Sequence, residues 1–187
     1  FFSGYAEMLK HGLISNTAHW AELLNFNTSD IDYTALKQLV GRSVQVKEDI
    51  VEQDPFEHGI RKALNLGHTV GHAFESMALA ENRPVLHGYA VAWGIVCELY
   101  LSHLKVGFPK EKMRQTIQFI KDNYGVFTFD CKKYEQLYAF MTHDKKNTSG
   151  TINFTLLKDI GDIRINQIAD KDTIFEMLDF YRECMGI

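Results

Sequence analysis

The sequence predicts a mainly α-helical domain, a helical bundle with one small β-hairpin, and three observations carry that expectation. Apolar residues recur at three- and four-residue spacing through most of the chain, the period that gathers them on one face of a helix. Pro55, Pro84 and Pro109 all fall between such segments rather than inside them, as a residue without a backbone N–H should. In TINFTLLKDIGDIRINQIA the period changes: Ile152, Phe154 and Leu156 alternate with polar or small partners, Asp159 to Asp162 supply a turn, and Ile163 and Ile165 alternate again. Period two is the mark of a strand.

From the N-terminus, the spacing predicts helices over about residues 4–14, 17–25 and 31–52, the last ending before Pro55. A fourth, over about 59–80, carries GIRKALNLGHTVGHAFES and stops short of Pro84. The fifth, about 88–105, is the apolar run GYAVAWGIVCELYL, and Pro109 separates it from a sixth over about 110–123. A seventh helix over about 132–143, the hairpin over 151–166 and an eighth helix over about 171–184 complete the chain. No repeat, low-complexity tract or linker interrupts it, so residues 1–187 are expected to form one domain.

Composition narrows the function. With 187 residues, 45% hydrophobic and 24% charged, the chain is long enough for one hydrophobic core without covalent staples. Cys97, Cys131 and Cys184 are odd in number and widely spaced, which indicates neither a disulfide framework nor a thiolate zinc site and fits a reducing cytoplasm. No apolar run approaches the ~18–20 residues that span a bilayer, and no membrane partner is expected. A net charge of -4 argues against nucleic acid, which selects a basic surface. The chain opens on FFSGYAEMLKHGLI without a methionine, which reads as a piece of a longer protein.

The chemistry concentrates in the predicted fourth helix. Arg61, Asn65, His68, His72 and Glu75 follow at steps of four, three, four and three, so on a continuous helix they share one face. Ala63, Leu64, Leu66, Val70, Ala73, Phe74 and Met77 cover the others, so the polar stripe should line a cleft. Gly67 and Gly71 cost roughly 2 kcal/mol of helix propensity together, which implies that another helix or a ligand comes close there. His68, His72 or both are candidate metal ligands, against the alternative of hydrogen-bonded histidines without a metal. Thr69 stands where a zinc peptidase would have its glutamate base, so the HExxH signature is not met and the sequence speaks against that class. His87, at the start of the next helix, can reach back to the cleft. Glu7, three residues before Lys10 on one helix face, is a candidate oxygen ligand or simply half of a surface ion pair.

These residues together carry a resemblance. GYAEMLKHGLI, KEDIVEQDPFEHGIRKALNLGHTVGHAFES, LHGYAVAWG and HDKKNTSGTINFTLLKDIG, in that order and over nearly the whole chain, resemble the C-terminal domain of the 3-dehydroquinate synthase family and its sugar-phosphate cyclase relatives. LNxGHTxGHAxE is the most specific part. The resemblance implies a helical metal- and substrate-binding domain that packs on an N-terminal NAD-binding domain in the complete enzyme. No two glycines here lie two apart, so no GxGxxG is present and NAD is expected to be held by that other domain.

Position by position, the resemblance implies a divalent metal, zinc or another such as cobalt, on Glu7, His68 and His87. His72 then becomes the histidine that contacts substrate and assists proton transfer, with Lys10 and Asn65 as its catalytic neighbours. Lys10, Lys47, Arg61, Asn65, His72 and the pair Lys145 and Lys146, of which Lys145 is favoured, match positions that hold substrate. The implied reaction converts 3-deoxy-D-arabino-heptulosonate 7-phosphate to 3-dehydroquinate with loss of phosphate, in the shikimate pathway, by a cytoplasmic homodimer. The isolated chain should be inactive. One departure stands out: most members read HGE after the last ligand, and this chain has His87-Gly88-Tyr89. A phenol cannot orient His87 as a carboxylate can.

Other readings compete. His143-Asp144 is a literal His-Asp pair, as in an HD-type metal phosphohydrolase, and would then itself ligate metal. A non-catalytic helical module with a closed structural metal site is another. A sister cyclase or a metal-dependent alcohol dehydrogenase lies closer, although Lys47, Arg61 and HDKKN suit an acidic, phosphorylated substrate best.

Overall fold

The computed structural model describes residues 1–144 and 151–187. Among these are eight α-helices: α1 (Phe2–Ser15), α2 (Thr17–Asn25), α3 (Tyr33–Gln53), α4 (His68–Ala80), α5 (His87–Val106), α6 (Lys110–Tyr124), α7 (Tyr134–Thr142) and α8 (Lys171–Met185). Strands β1 (Asn153–Asp159) and β2 (Asp162–Ile168) pair antiparallel as the one hairpin. Side chains close several helix starts: Asn16 accepts from the His19 N–H, Asp32 from Thr34 and Ala35, and Asp170 from Thr173. Each satisfies a first-turn donor that has no partner within the helix.

Helix α5 is the axis of the bundle. Thirteen of its twenty residues are buried, because it is apolar on nearly every face and is surrounded rather than laid on a surface. It packs against α4, α1, α6 and β1. Strand β1 departs from simple alternation: Phe154, Thr155, Leu156 and Leu157 are all buried. One of its faces meets α5, and on the other the Thr155 hydroxyl donates to the Lys62 carbonyl at 2.7 Å.

The predicted fourth helix is two elements. Ile60–Asn65 forms a 3₁₀ helix, Leu66 is extended, and α4 begins only at His68. Gly67 turns the chain with φ +81°, a conformation that strains any residue bearing a Cβ. Arg61 and Asn65 therefore do not continue the α4 face that carries His68, His72 and Glu75. The close approach expected at the glycines is made by α5: a Cβ on Gly71 would lie 3.0 Å from the Ala90 carbonyl oxygen.

The α4 start is held by a carboxylate from the middle of α5. Glu98, fully buried, accepts from the Gly67 N–H at 3.0 Å and from the Val70 N–H at 3.1 Å, bridging the residues on either side of His68. At the other end of α5, the Gly88 N–H donates to the Ser3 hydroxyl at 2.9 Å. Ser3 lies one turn before Glu7 on α1, so this contact sets His87 beside Glu7.

Helix α3 is held more lightly, burying only Leu39, Ser43 and Ile50. Ser43 hydrogen-bonds the buried His11 ring across α1. Burial, and then the Lys10 charge, push the His11 imidazole down from 6.5 to about 4. The unfolded chain takes up that proton first, so His11's contribution is complete above about pH 6.5 and is lost as pH falls toward 4. At 1.36 kcal/mol per unit the full loss is about 3 kcal/mol. Urea denaturation at pH 7 and pH 5 should show a smaller loss in His11→Gln than in the wild type; equal losses would refute this account.

Candidate metal centre

Three helices bring Glu7, His68 and His87 together. One ligand-type atom from each lies within 4.8 Å of the others, and no other such group occurs among the described residues. Each ligand has a local reason for its place. Glu7 is carried on the buried face of α1, while His68 and His87 are the first residues of α4 and α5.

The hydrogen bonds define which atoms face inward. His68 donates from Nδ1 to the Leu66 carbonyl at 3.1 Å, and its Nε2 lies 3.6 Å from Glu7 Oε1. His87 directs Nδ1 to the Glu75 carboxylate and Nε2 to the same Glu7 oxygen, at 3.3 Å. With both Nδ1 atoms committed as donors, each ring in its neutral form presents the Nε2 lone pair to a carboxylate oxygen. Three acceptors facing one another repel unless a proton or a metal ion lies among them. Lys10 neutralises only the far side, its Nζ sitting 2.6 Å from Glu7 Oε2. Two imidazole nitrogens and one carboxylate oxygen form a donor set suited to zinc, and three protein ligands leave positions open.

Charge states agree with this arrangement. Burial works to raise the Glu7 carboxyl, but the neighbouring His68 ring and the Lys10 ammonium outweigh it and hold the group well below the usual carboxylate range. Burial is also the main cause that lowers the His68 imidazole, with the neighbouring Glu7 carboxylate opposing. A deprotonated carboxylate and a neutral imidazole are the forms that bind a metal.

His72 stands beside the group, its ring 5.3 Å from that of His68 and 5.9 Å from that of His87. Its Nδ1 lies 3.1 Å from Asp144 Oδ2, and an ionised carboxylate can only accept, so Nδ1 carries the proton. His143 is exposed just beyond α7. The His-Asp dipeptide thus contributes no ligand to the group; its aspartate holds His72 instead.

The remaining predicted residues are more dispersed. Lys47 is exposed on α3, in the groove shared with His11, where its charge reaches the imidazole. Arg61 donates to the Pro55 carbonyl at 2.7 Å, in a turn organised by Asp54, which accepts from the backbone of His58, Gly59 and Arg61. Asn65 donates to Glu57 at 3.4 Å and lines a polar cleft of about 370 Å³ with Lys62, Thr69 and Asn166. Lys145 and Lys146 lie outside the described residues. Tyr89 turns away from the ligands, its ring 5.0 Å from Tyr124 and 6.1 Å from Trp93. Sequence reasoning gave Glu98 no part; a lone carboxylate inside an apolar run was the available signal.

The profile of the family described as 3-dehydroquinate synthase C-terminal matches residues 4–147. The chain belongs to that family. A 3-dehydroquinate synthase of Parabacteroides distasonis is 60% identical over 99% of this chain and 52% of its own length. One from Leptospira interrogans is 41% identical over 87% of this chain and 46% of its own. The chain therefore spans about half the length of these 3-dehydroquinate synthases. Among solved structures, 2-epi-5-epi-valiolone synthase from Streptomyces hygroscopicus, with NAD+ and Zn2+ bound, superposes with a TM-score of 0.79 at 20% identity, over 97% of this chain and 51% of that one. A 2-deoxy-scyllo-inosose synthase complexed with carbaglucose-6-phosphate, NAD+ and Co2+ gives 0.75 at 20% identity over the same shares. The chain thus shares the fold of the matching halves of these two synthases. Among its described residues no helix is long and apolar enough to cross a membrane.

Proposed function

We propose that this chain is the metal- and substrate-binding half of a 3-dehydroquinate synthase, a phosphate-eliminating carbon-oxygen lyase that converts 3-deoxy-D-arabino-heptulosonate 7-phosphate to 3-dehydroquinate and phosphate. The observation that carries the reading is the convergence of Glu7, His68 and His87 with their ligand atoms inward, in a chain of this family. Glu7, His68 and His87 hold the ion, zinc by preference, and an N-terminal half not included in this chain holds NAD. When bound, the ion supplies a Lewis acid for the hydroxyl that is oxidised and NAD supplies the hydride acceptor.

The chain's own residues bind and move protons. His72, with Nδ1 held by Asp144, keeps Nε2 for exchanging a proton with substrate as phosphate leaves. Lys10 and Asn65 orient the reacting hydroxyls. Lys47, Arg61 and Lys145 or Lys146 meet the substrate's carboxylate and phosphate, Arg61 through a planar fork of donors. The full-length protein acts as a homodimer in the cytoplasm, within the shikimate route to aromatic amino acids.

Phosphate release from this substrate tests the reading. Full-length protein should release one phosphate per substrate consumed, and lose that activity when metal is chelated or NAD withheld. The chain alone should release none; phosphate release by the chain alone without NAD would overturn the assignment.

A further inference from the structure

We infer that Glu75 is the positioning residue for His87: its carboxylate accepts the Nδ1–H of that ring and so aims Nε2 into the ligand group. This rests on the metal-site reading above and adds an orienting carboxylate to it.

The two ligand imidazoles are fixed by different means. The His68 side chain is 12% exposed and anchored on a backbone carbonyl, so packing and main chain together hold its ring. The His87 side chain is 47% exposed at the very start of α5. Packing leaves such a ring free to turn about χ2, a broad and roughly two-fold torsion, and a half-turn would carry Nε2 away from Glu7. The bond from Nδ1 to Glu75 selects one of these orientations. It also fixes the tautomer, leaving Nε2 unprotonated, and a carboxylate there strengthens the imidazole as a donor to metal.

Glu75 is placed for this task by α4 itself. It lies three residues after His72 and seven after His68, so all three project from one face of that helix. One helix face thus supplies a ligand, the candidate proton carrier and the anchor for a ligand on the next helix. Tyr89 lies two residues beyond His87, about 200° further round α5, and its ring rests against Tyr124 and Trp93. The phenol in the place of the family's usual glutamate is therefore remote from the bond that orients His87, and Glu75 alone makes that bond among the described residues.

The test is a zinc competition titration on full-length protein, wild type beside Glu75→Ala, Glu75→Gln, Tyr89→Phe and His87→Ala, with the thermal midpoint of each metal-free form as a check on folding. Cobalt absorption in the visible gives a second readout, since it changes when a ligand is displaced and ignores a merely structural loss. Glu75→Ala should weaken zinc about 10–100-fold and alter the cobalt bands. Glu75→Gln, whose amide oxygen still accepts one hydrogen bond, should weaken zinc less and carries the test if the alanine variant does not fold. Tyr89→Phe should bind as the wild type. Wild-type affinity and bands in both Glu75 variants, with His87→Ala weakened, would overturn the role of Glu75 and leave the metal site standing. Wild-type affinity in His87→Ala would overturn the metal site, and Glu75's role with it. A loss in Tyr89→Phe equal to that in Glu75→Ala would overturn the division between these two residues.

Discussion

His68→Ala in the full-length protein is expected to bind zinc at least about 100-fold more weakly than the wild type, because disturbing only an outer partner of a ligand already costs about 10–100-fold. The variant should remain folded: it gives up one hydrogen bond to the Leu66 carbonyl, a net contribution of about 1 kcal/mol, while the Glu98 carboxylate still holds the start of α4. Phosphate release should fall with zinc occupancy. His143→Ala is the control, since that side chain is exposed and outside the ligand group. Equal zinc affinity in wild type and His68→Ala, by competition titration, would remove the metal centre from this site. Loss in His143→Ala instead would restore the phosphohydrolase reading.

Gly94→Ala should be strongly destabilising, as should Gly88→Ala, whose Cβ would lie 2.0 Å from the Ser3 carbonyl oxygen. The Cβ added at Gly94 would lie 2.1 Å from the Gly67 carbonyl oxygen and 2.7 Å from the Gly71 nitrogen. Both are backbone atoms of the segment that enters α4, so no side chain can yield and the helices must separate. Overpacking of a core typically costs about 1–3 kcal/mol, occasionally more, and a contact between rigid backbones belongs at the upper end. The separation also moves His68 relative to His87, so zinc affinity should fall even where folding survives. Gly4→Ala is the counterpart: nothing lies within 4 Å of its Cβ position in α1, and the helix should gain up to about 1 kcal/mol. Urea midpoints of Gly94→Ala and Gly4→Ala moving in the same direction would contradict this packing account.

The helices were legible because apolar spacing and proline placement are local signals, and Asn16, Asp32 and Asp170 as caps reinforce them. The break at Gly67 was not. Leu66 continues the apolar spacing that suggests one helix, while the left-handed turn is held by Glu98, distant in sequence and adjacent in space. Strand β1 was legible from its alternation, but the burial of Thr155 was not, since that residue is polar by type and its hydroxyl is satisfied by a carbonyl. At the site, spacing offered His68, His72, His87 and Glu7 without ranking them, and only the family resemblance separated His72 from the ligands. Glu75 was visible as a member of the stripe, but its partner was not, because the turn between α4 and α5 that folds His87 back onto it carries no periodicity. Asp144 was noticed for the wrong pairing: its neighbour in sequence drew attention, whereas its neighbour in space is His72.

The three inward-facing side chains of the candidate centre come from α1, α4 and α5, far apart along the chain. A cation shared among them closes loops of about 60 and about 20 residues in a chain that has no disulfide among its described residues. Binding only to the folded form adds RT ln(1 + [M]/Kd) to stability, about 2.7 kcal/mol when the free ion stands at 100 times its dissociation constant. An ion bound there would therefore serve as a reversible clamp on the bundle, and the temperature at which the fold opens would gauge how much free metal surrounds it.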